Sequence, residues 1–312
     1  MEPQKPKITM YAKRPFGEKL NASFDFIKEN WKQLFKYSTY LILPVCLIQA
    51  ANFNGLMGGM TDLTAMQAGG SAAANPLAVF GTAFLLNYAG VVFFSCLGAL
   101  LLTSLTYAMV RLYNEREERL NGITFSDIKP LLLHNIKRLF IMGVIIGFLF
   151  LVAFILVVLL VVLTPFTLVL TLPLLFAFMV SLALMPPVYL FEDISFGEAF
   201  KKTLRLGFAT WGGIFLILIV MGIVASVLQM SVSIPWYVIY FVKMIFSMSD
   251  GGEVTSSIGL NFAQYIFAIL MLYGSYLSAI FGIVGLVYQY GHASEVVDSI
   301  TVESDIDNFD KL

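Results

Sequence analysis

From Phe16 the apolar residues fall at Phe16, Leu20, Phe24, Ile27, Trp31 and Leu34, spacings of four, four, three, four and three that trace one face of an α-helix. Glu18, Lys19, Asn21, Asp25, Lys28, Glu29 and Lys32 occupy the remaining positions, with Phe26 the exception. A helix with so large an apolar moment and so charged an opposite face is expected to lie in the plane of a bilayer interface. The same layout recurs 180 residues later. Phe16-Gly17-Glu18 and Trp31 return as Phe196-Gly197-Glu198 and Trp211, and Phe196, Phe200, Leu204, Phe208, Trp211 and Phe215 form the second stripe. Ser195 and Glu198 supply an S-x-x-E capping box that starts this second helix. Each copy runs into a long apolar stretch.

The apolar stretches predict six spans, near residues 34–51, 88–110, 139–163, 166–190, 213–233 and 262–287. Between Tyr37 and Val110 the only charge is Asp62, and between Leu139 and Phe191 there is none, so each stretch holds two spans of about 20 residues. Helix is expected throughout, because an unpaired backbone group in hydrocarbon costs several kcal/mol and strand alternation is absent. Residues 52–75, rich in Gly, Ala and Met, read as a loose loop, and 76–86 as a short interfacial helix. Thr164-Pro165 reads as a tight turn. Trp236, Tyr237, Tyr240 and Phe241 read as an aromatic belt in the connection after the fifth span.

A third, shorter stripe is carried by Phe125, Ile128, Leu132, Ile136 and Leu139, where Asn135-Ile136-Lys137-Arg138-Leu139-Phe140 parallels Asn30-Trp31-Lys32-Gln33-Leu34-Phe35. The expected fold is therefore an all-α polytopic membrane protein of six transmembrane helices. These form three parallel units, each an interfacial amphipathic helix plus a transmembrane hairpin. The units cover about 15–110, 124–191 and 195–290 of a single membrane domain (1–292). An acidic cytoplasmic tail (293–312) follows, with Glu295, Asp298, Glu303, Asp305, Asp307 and Asp310 expected to be solvated.

Composition agrees: 59% of the 312 residues are hydrophobic and 12% charged, with a mean hydropathy of +0.84. The net charge of −1 conceals a strong asymmetry. Of 19 Lys and Arg, eight lie at or before Lys36, six between Arg111 and Arg138, and three at Lys201, Lys202 and Arg205. Only Lys243 falls among segments of the opposite side. The positive-inside rule thus leads us to expect both termini of a multi-pass membrane protein on the cytoplasmic side. The first fifteen residues lack the h-region of a signal peptide, so the first span is expected to direct insertion.

Met185-Pro186-Pro187-Val188-Tyr189-Leu190-Phe191-Glu192-Asp193, followed by the capped helix from Ser195 to Trp211, resembles the membrane-domain type of the glycerophosphoryl diester phosphodiesterase family. It also resembles related bacterial integral membrane proteins of unknown function. In that family the hydrolytic activity belongs to an appended soluble barrel, which this sequence does not contain. The resemblance implies a fold and a lipid environment and no activity.

Residues able to carry chemistry are few. His134 and His292 stand in separate segments, too few for a clustered-His oxygenase, and there is no H-E-x-x-H metalloprotease helix or P-loop. No catalytic or metal site and no cofactor is expected. Cys46 and Cys96, in apolar runs, read as small hydrophobes. Phe16, Trp31, Phe196, Trp211 and Trp236 are the expected membrane-interface anchors. Gln49, Asn87, Gln229, Asn261 and Gln264 are the intramembrane polar positions, able to link helices or to line a path. The 180-residue offset also superposes Gln49 on Gln229. The sequence therefore reads as a non-enzymatic integral membrane scaffold or lipid-interacting module, the alternative being a transporter or flippase for a lipid-like or small neutral substrate. Expected partners are membrane lipids, with another membrane or cytoplasmic protein or a second copy of the chain as further candidates. The basic residues follow the membrane side, so nucleic acid is not among them.

Overall fold

The computed structural model describes residues 6–68, 81–249 and 257–301. Their regular structure is helical: α1 (Phe16–Ala68), α2 (Thr82–Glu115), α3 (Phe125–Leu163), α4 (Thr167–Leu182), α5 (Met185–Phe191), α6 (Phe196–Ala209), α7 (Trp211–Ser249) and α8 (Ile258–Val297). Six helical segments, Phe16–Met60, Thr82–Glu115, Phe125–Leu163, Thr167–Phe191, Trp211–Phe246 and Ile258–Val297, are long and apolar enough to cross a membrane. Five contain one of the six sequence windows and the fourth matches its window to within a residue, the pattern of a multi-pass membrane protein.

Local chemistry sets the boundaries. Pro15 precedes α1, and its carbonyl accepts the first helical bond from Lys19. Asp127 accepts from the Thr124 N–H at 2.9 Å to open α3, and Glu198 accepts from the Ser195 N–H at 3.0 Å to open α6. Pro186-Pro187 at the start of α5 removes two amide donors, and the chain breaks at Ala183 and Leu184 before it. The turn between α3 and α4 falls at Thr164, where the Thr167 N–H donates to the Thr164 carbonyl at 3.2 Å.

Three expectations change. Residues 52–68 are helical, since Ala, Leu and Met are strong helix formers that outweigh the scattered glycines; 69–80 lie outside the described residues, and α2 begins at Thr82. The segment carrying Trp236 to Phe241 is part of α7, which runs unbroken through Pro235 to Ser249. Pro235 forfeits one backbone bond, and the flanking turns retain theirs. The amphipathic segment before the first span is the N-terminal part of the continuous α1 and not a separate helix.

The described chain forms two compact units. Unit 1 comprises Met1–Leu34, Thr103–Ile223 and Ile280–Leu312, and unit 2 comprises Phe35–Leu102 and Val224–Ala279, so α1, α2, α7 and α8 each contribute to both. In unit 1, α6 packs across α4 where Gly207 lies so close to Ser181 that a Cβ would stand 2.8 Å from the Ser181 carbonyl oxygen. The α3–α4 hairpin is the least covered part: the most apolar stretch of α3 has no buried residue, and Phe166 is 84% exposed.

In unit 1 the buried face of α1 is offset from its apolar stripe. Lys19, Ser23, Phe26 and Asn30 are buried, whereas of the stripe Leu20, Phe24 and Ile27 are half-buried, Trp31 is 54% exposed and Leu34 is buried where the two faces meet. The odd aromatic Phe26 is thus the central packing residue, set edge-on against Tyr113 and Tyr288. The second copy repeats this register, with Ala199, Thr203, Leu206 and Ile214 buried and Phe200 and Leu204 half-buried. In α3, Asn135 and Leu139 are buried as their counterparts Asn30 and Leu34 are.

Candidate functional site

The polar chemistry of unit 1 converges on Glu192 and Asp193, the last two residues of the Pro-Pro motif segment. Asp193 has a left-handed backbone (φ 51°), a conformation that Asp tolerates better than most side chains. Its carboxylate accepts from Arg111 at 3.1 Å and contacts His134 Nε2 at 2.9 Å. Arg138 donates to the carbonyls of Tyr189 and Ile194 at 2.6 and 2.7 Å and stacks 3.9 Å over the Tyr189 ring, fixing both ends of the turn. Partial burial works against the Asp193 carboxylate, but the hydrogen bonds from His134 and Arg111 outweigh it and hold its pKa below the ordinary 3.8.

Glu192 faces the other way. Its carboxylate accepts from the buried Tyr290 hydroxyl at 2.7 Å and pairs with Lys202 at 2.8 Å. Lys202 also reaches Asp298 at 2.9 Å, and Arg205 reaches Asp298 at 2.6 Å. Burial disfavours the Lys202 ammonium, but its two carboxylate partners prevail and its pKa is raised above 10.5. Asp298 and Glu295, read as part of a solvated tail, are thus drawn into the packed unit. α8 extends to Val297, and Glu295 is 3% exposed, accepting from the Thr301 N–H and hydroxyl at 2.9 and 2.8 Å. The other four acidic residues of the tail lie outside the described residues.

Residues 7–14 form a strap that no pattern along the chain announces. Lys7 donates to the Asn114 and Arg116 carbonyls, and the Ile8 N–H donates to the Tyr113 hydroxyl at 3.2 Å. The Met10 carbonyl rests on Gly291, where a Cβ would come within 2.1 Å of its oxygen. The Tyr11 hydroxyl meets that of Tyr290 at 3.4 Å, and the Arg14 N–H donates to His292 Nδ1 at 3.1 Å. A cleft of about 500 Å³ lies beside the strap, lined by Pro6, Lys7, Ile8, Asp25, Lys28 and Glu29.

The polar positions of unit 2 tie helices together. Gln49 is 3% exposed; its amide donates to Ser95 at 2.8 Å, and its carbonyl accepts from the Tyr276 hydroxyl at 2.9 Å. Tyr276 can reach it because Gly98 has no side chain: a Cβ there would meet the phenol oxygen at 2.3 Å. Asn87 packs on Gly55 in the same way, with its amide 2.6 Å from where a Cβ would stand. Asn261 and Gln264 come together on Lys243, whose ammonium donates to their carbonyl oxygens at 2.6 and 2.7 Å. Gln229 stands apart, exposed on α7, so the 180-residue match with Gln49 does not extend to environment.

The aromatic positions separate as clearly. Phe16 and Phe196 are half-buried, and Trp31 is open. Trp211 is half-buried; its indole N–H donates to the Ala177 carbonyl at 3.0 Å, and its ring stacks on Phe215. Trp236 is 2% exposed, donates to Asn54 at 3.1 Å and stacks on Tyr240, which removes it from any bilayer-facing role. Asn54, one turn beyond Gln49 on the same apolar helix, offers the acceptor that lets the indole go inside. Among the described residues no group of three His, Cys, Asp or Glu could hold a metal ion, and Cys46 and Cys96 are free thiols.

Comparison with protein-family models, with curated proteins and with solved structures gives no match.

Proposed function

We propose that this protein is a non-enzymatic integral membrane scaffold or lipid-interacting module of the bacterial cytoplasmic membrane, with both termini on the cytoplasmic side. The observation that carries the reading is the offset burial of the amphipathic segments. In α1 and again in α6 the packed face lies beside the apolar stripe, leaving large apolar side chains half open in the same register 180 residues apart. Such a stripe is suited to lipid acyl chains, with the basic residues next to it adding about 1 kcal/mol each against an anionic leaflet. The matching burial of Asn30 and Asn135 further supports three parallel units of amphipathic segment plus hairpin. The fold and lipid environment implied by the phosphodiesterase membrane-domain resemblance belong to this same reading.

Brominated-lipid quenching tests it. Trp31 should be quenched strongly by bromines placed near the headgroups and Trp236 weakly; a Trp31 emission unaffected by those lipids would sink the proposal.

Transport or flipping of a lipid-like or small neutral substrate is the second reading, favoured by one observation: Lys243, Asn261 and Gln264 gather on two long apolar helices. In liposomes, Gln49→Leu or Gln264→Leu should abolish flux if the chain is a carrier, and should lower only stability if it is a scaffold.

A further inference from the structure

Lys19 is the most unusual charge in unit 1. It is 4% exposed, and its ammonium donates to Gln289 Oε1 at 2.7 Å. Among the described residues no carboxylate comes within ion-pair distance of it, although a buried ammonium normally has one. Gln289 is fully buried, and with its oxygen committed to Lys19 its Nε2 has no acceptor among the described residues. Both side chains converge on the first turn of α7: a Cβ at Gly213 would stand 2.9 Å from Gln289 Nε2 and 3.2 Å from Lys19 Nζ.

That turn adds more donors. The first ladder bond there runs from the Ile214 N–H to the Thr210 carbonyl, so the amides preceding Ile214 lie at the positive end of a 39-residue helix. Lys19 itself sits one turn inside the N-terminus of α1, where the helix dipole also disfavours a cation. Arg14 and Lys19 both act electrostatically on His292, one turn beyond Gln289, and Arg14 is bonded to the Thr9 and Met10 carbonyls with no carboxylate partner among the described residues. The side chains at the junction therefore bring donors and positive charge without a matching carboxylate among the described residues. An acceptor-rich anion corrects both at once.

We propose that the junction of Lys19, Gln289 and the N-terminal turn of α7 binds a phosphate-type anion, supplied either by a phospholipid headgroup or by free phosphate. Gly212 is exposed and Gly213 half-buried, so the turn opens to the outside although the ammonium does not. The ammonium and the Gln289 amide would donate from one side and the Gly212 and Gly213 backbone from the other. This goes beyond the scaffold reading and does not depend on it, because a carrier could hold the same anion.

The test uses the full chain in an uncharged maltoside detergent and phosphate-free buffer. Melting midpoints are followed with inorganic phosphate in one arm and phosphatidylglycerol in the other, and native mass spectrometry reports any phospholipid carried through purification. We expect a saturable rise of the midpoint or a retained phospholipid adduct. A response to inorganic phosphate assigns a free-anion site; a response or adduct confined to lipid assigns a headgroup site. Lys19→Met should weaken the apparent affinity about ten- to a hundredfold, the equivalent of one charge-assisted hydrogen bond. Gln289→Glu gives Lys19 a carboxylate of its own and should fold normally while losing both the response and the adduct, so it decides the matter if Lys19→Met fails to fold. The proposal is overturned if the wild type shows neither shift nor adduct, or if Gln289→Glu responds as the wild type does.

Discussion

Replacing Lys202 by Met isolates the interaction that joins the Pro-Pro motif segment to the end of α8. The ammonium lies 2.8 Å from Glu192 and 2.9 Å from Asp298, and the three side chains are 22, 15 and 13% exposed. Removing one partner of a fully buried ion pair costs about 3–5 kcal/mol, whereas an exposed pair contributes about 0–1 kcal/mol. Here burial is incomplete and each carboxylate keeps a second donor, Tyr290 for Glu192 and Arg205 for Asp298. A loss of about 2–3 kcal/mol follows, equivalent to a midpoint lower by roughly 4–12 °C. Thermal unfolding followed by size-exclusion chromatography in detergent measures it. Adding Glu192→Gln to Lys202→Met should restore about half of the loss, because the unpaired charge disappears while Gln still accepts from Tyr290. Arg205→Met should cost less than about 1 kcal/mol, since Arg205 is 60% exposed. The reasoning is refuted if Lys202→Met melts within a degree of the wild type, or if the Glu192→Gln change deepens the loss.

In unit 2, Gly98→Ala drives a methyl into Tyr276 and breaks its bonds to Gln49 and Phe94; a net loss of about 2 kcal/mol in thermal unfolding is expected after the gain in helix propensity. The pH profile has two edges. The depressed Asp193 pKa gives stability that is complete above the ordinary 3.8 and is lost as pH falls through the lower folded value, while the raised Lys202 pKa gives stability complete below 10.5 and lost as pH rises past it. Asp193→Asn should blunt the acid edge alone, and an unchanged acid edge in melting scans would contradict the assignment. Gly291→Ala displaces the Met10 carbonyl and should free the strap, seen as faster tryptic cleavage after Lys13 in the otherwise folded protein.

The six long helices were legible because hydrocarbon leaves a backbone few choices, and the windows needed only length and lack of charge. The capping box at Ser195 was legible for a similar reason, because its chemistry is local, whereas the one at Thr124 closes on Asp127 and was seen only in the structure. What sequence could not supply was partnership at long range. Lys19 and Gln289 are 270 residues apart, and Arg14 and His292 are 278 apart; nothing in either residue's neighbourhood announces the other. Trp236 read as a belt residue because its neighbours are aromatic, yet its environment is decided by Asn54 on another helix. Glu192 and Asp193 were visible in the quoted motif, but their role as the hub of the polar contacts depends on four helices that supply their partners.

The offset between stripe and packed face sharpens the physical case for a bilayer. In water, a helix carrying Leu20, Phe24, Ile27 and Trp31 along one side would gain about 1.5–3 kcal/mol for each of them it buried fully, and would leave Lys19, Ser23 and Asn30 outside. The chain does the reverse. It buries the Lys, Ser and Asn beside Phe26, giving each a hydrogen-bond acceptor, and leaves the apolar four half open or more. Several kcal/mol of burial are thereby forgone in α1, and the same preference is repeated in α6 around Thr203. A sequence whose second solvent is hydrocarbon has no such loss to make good, because acyl chains can cover the stripe but offer the buried polar atoms no hydrogen bond. The arrangement that would be inverted in water is thus the stable one at a membrane boundary.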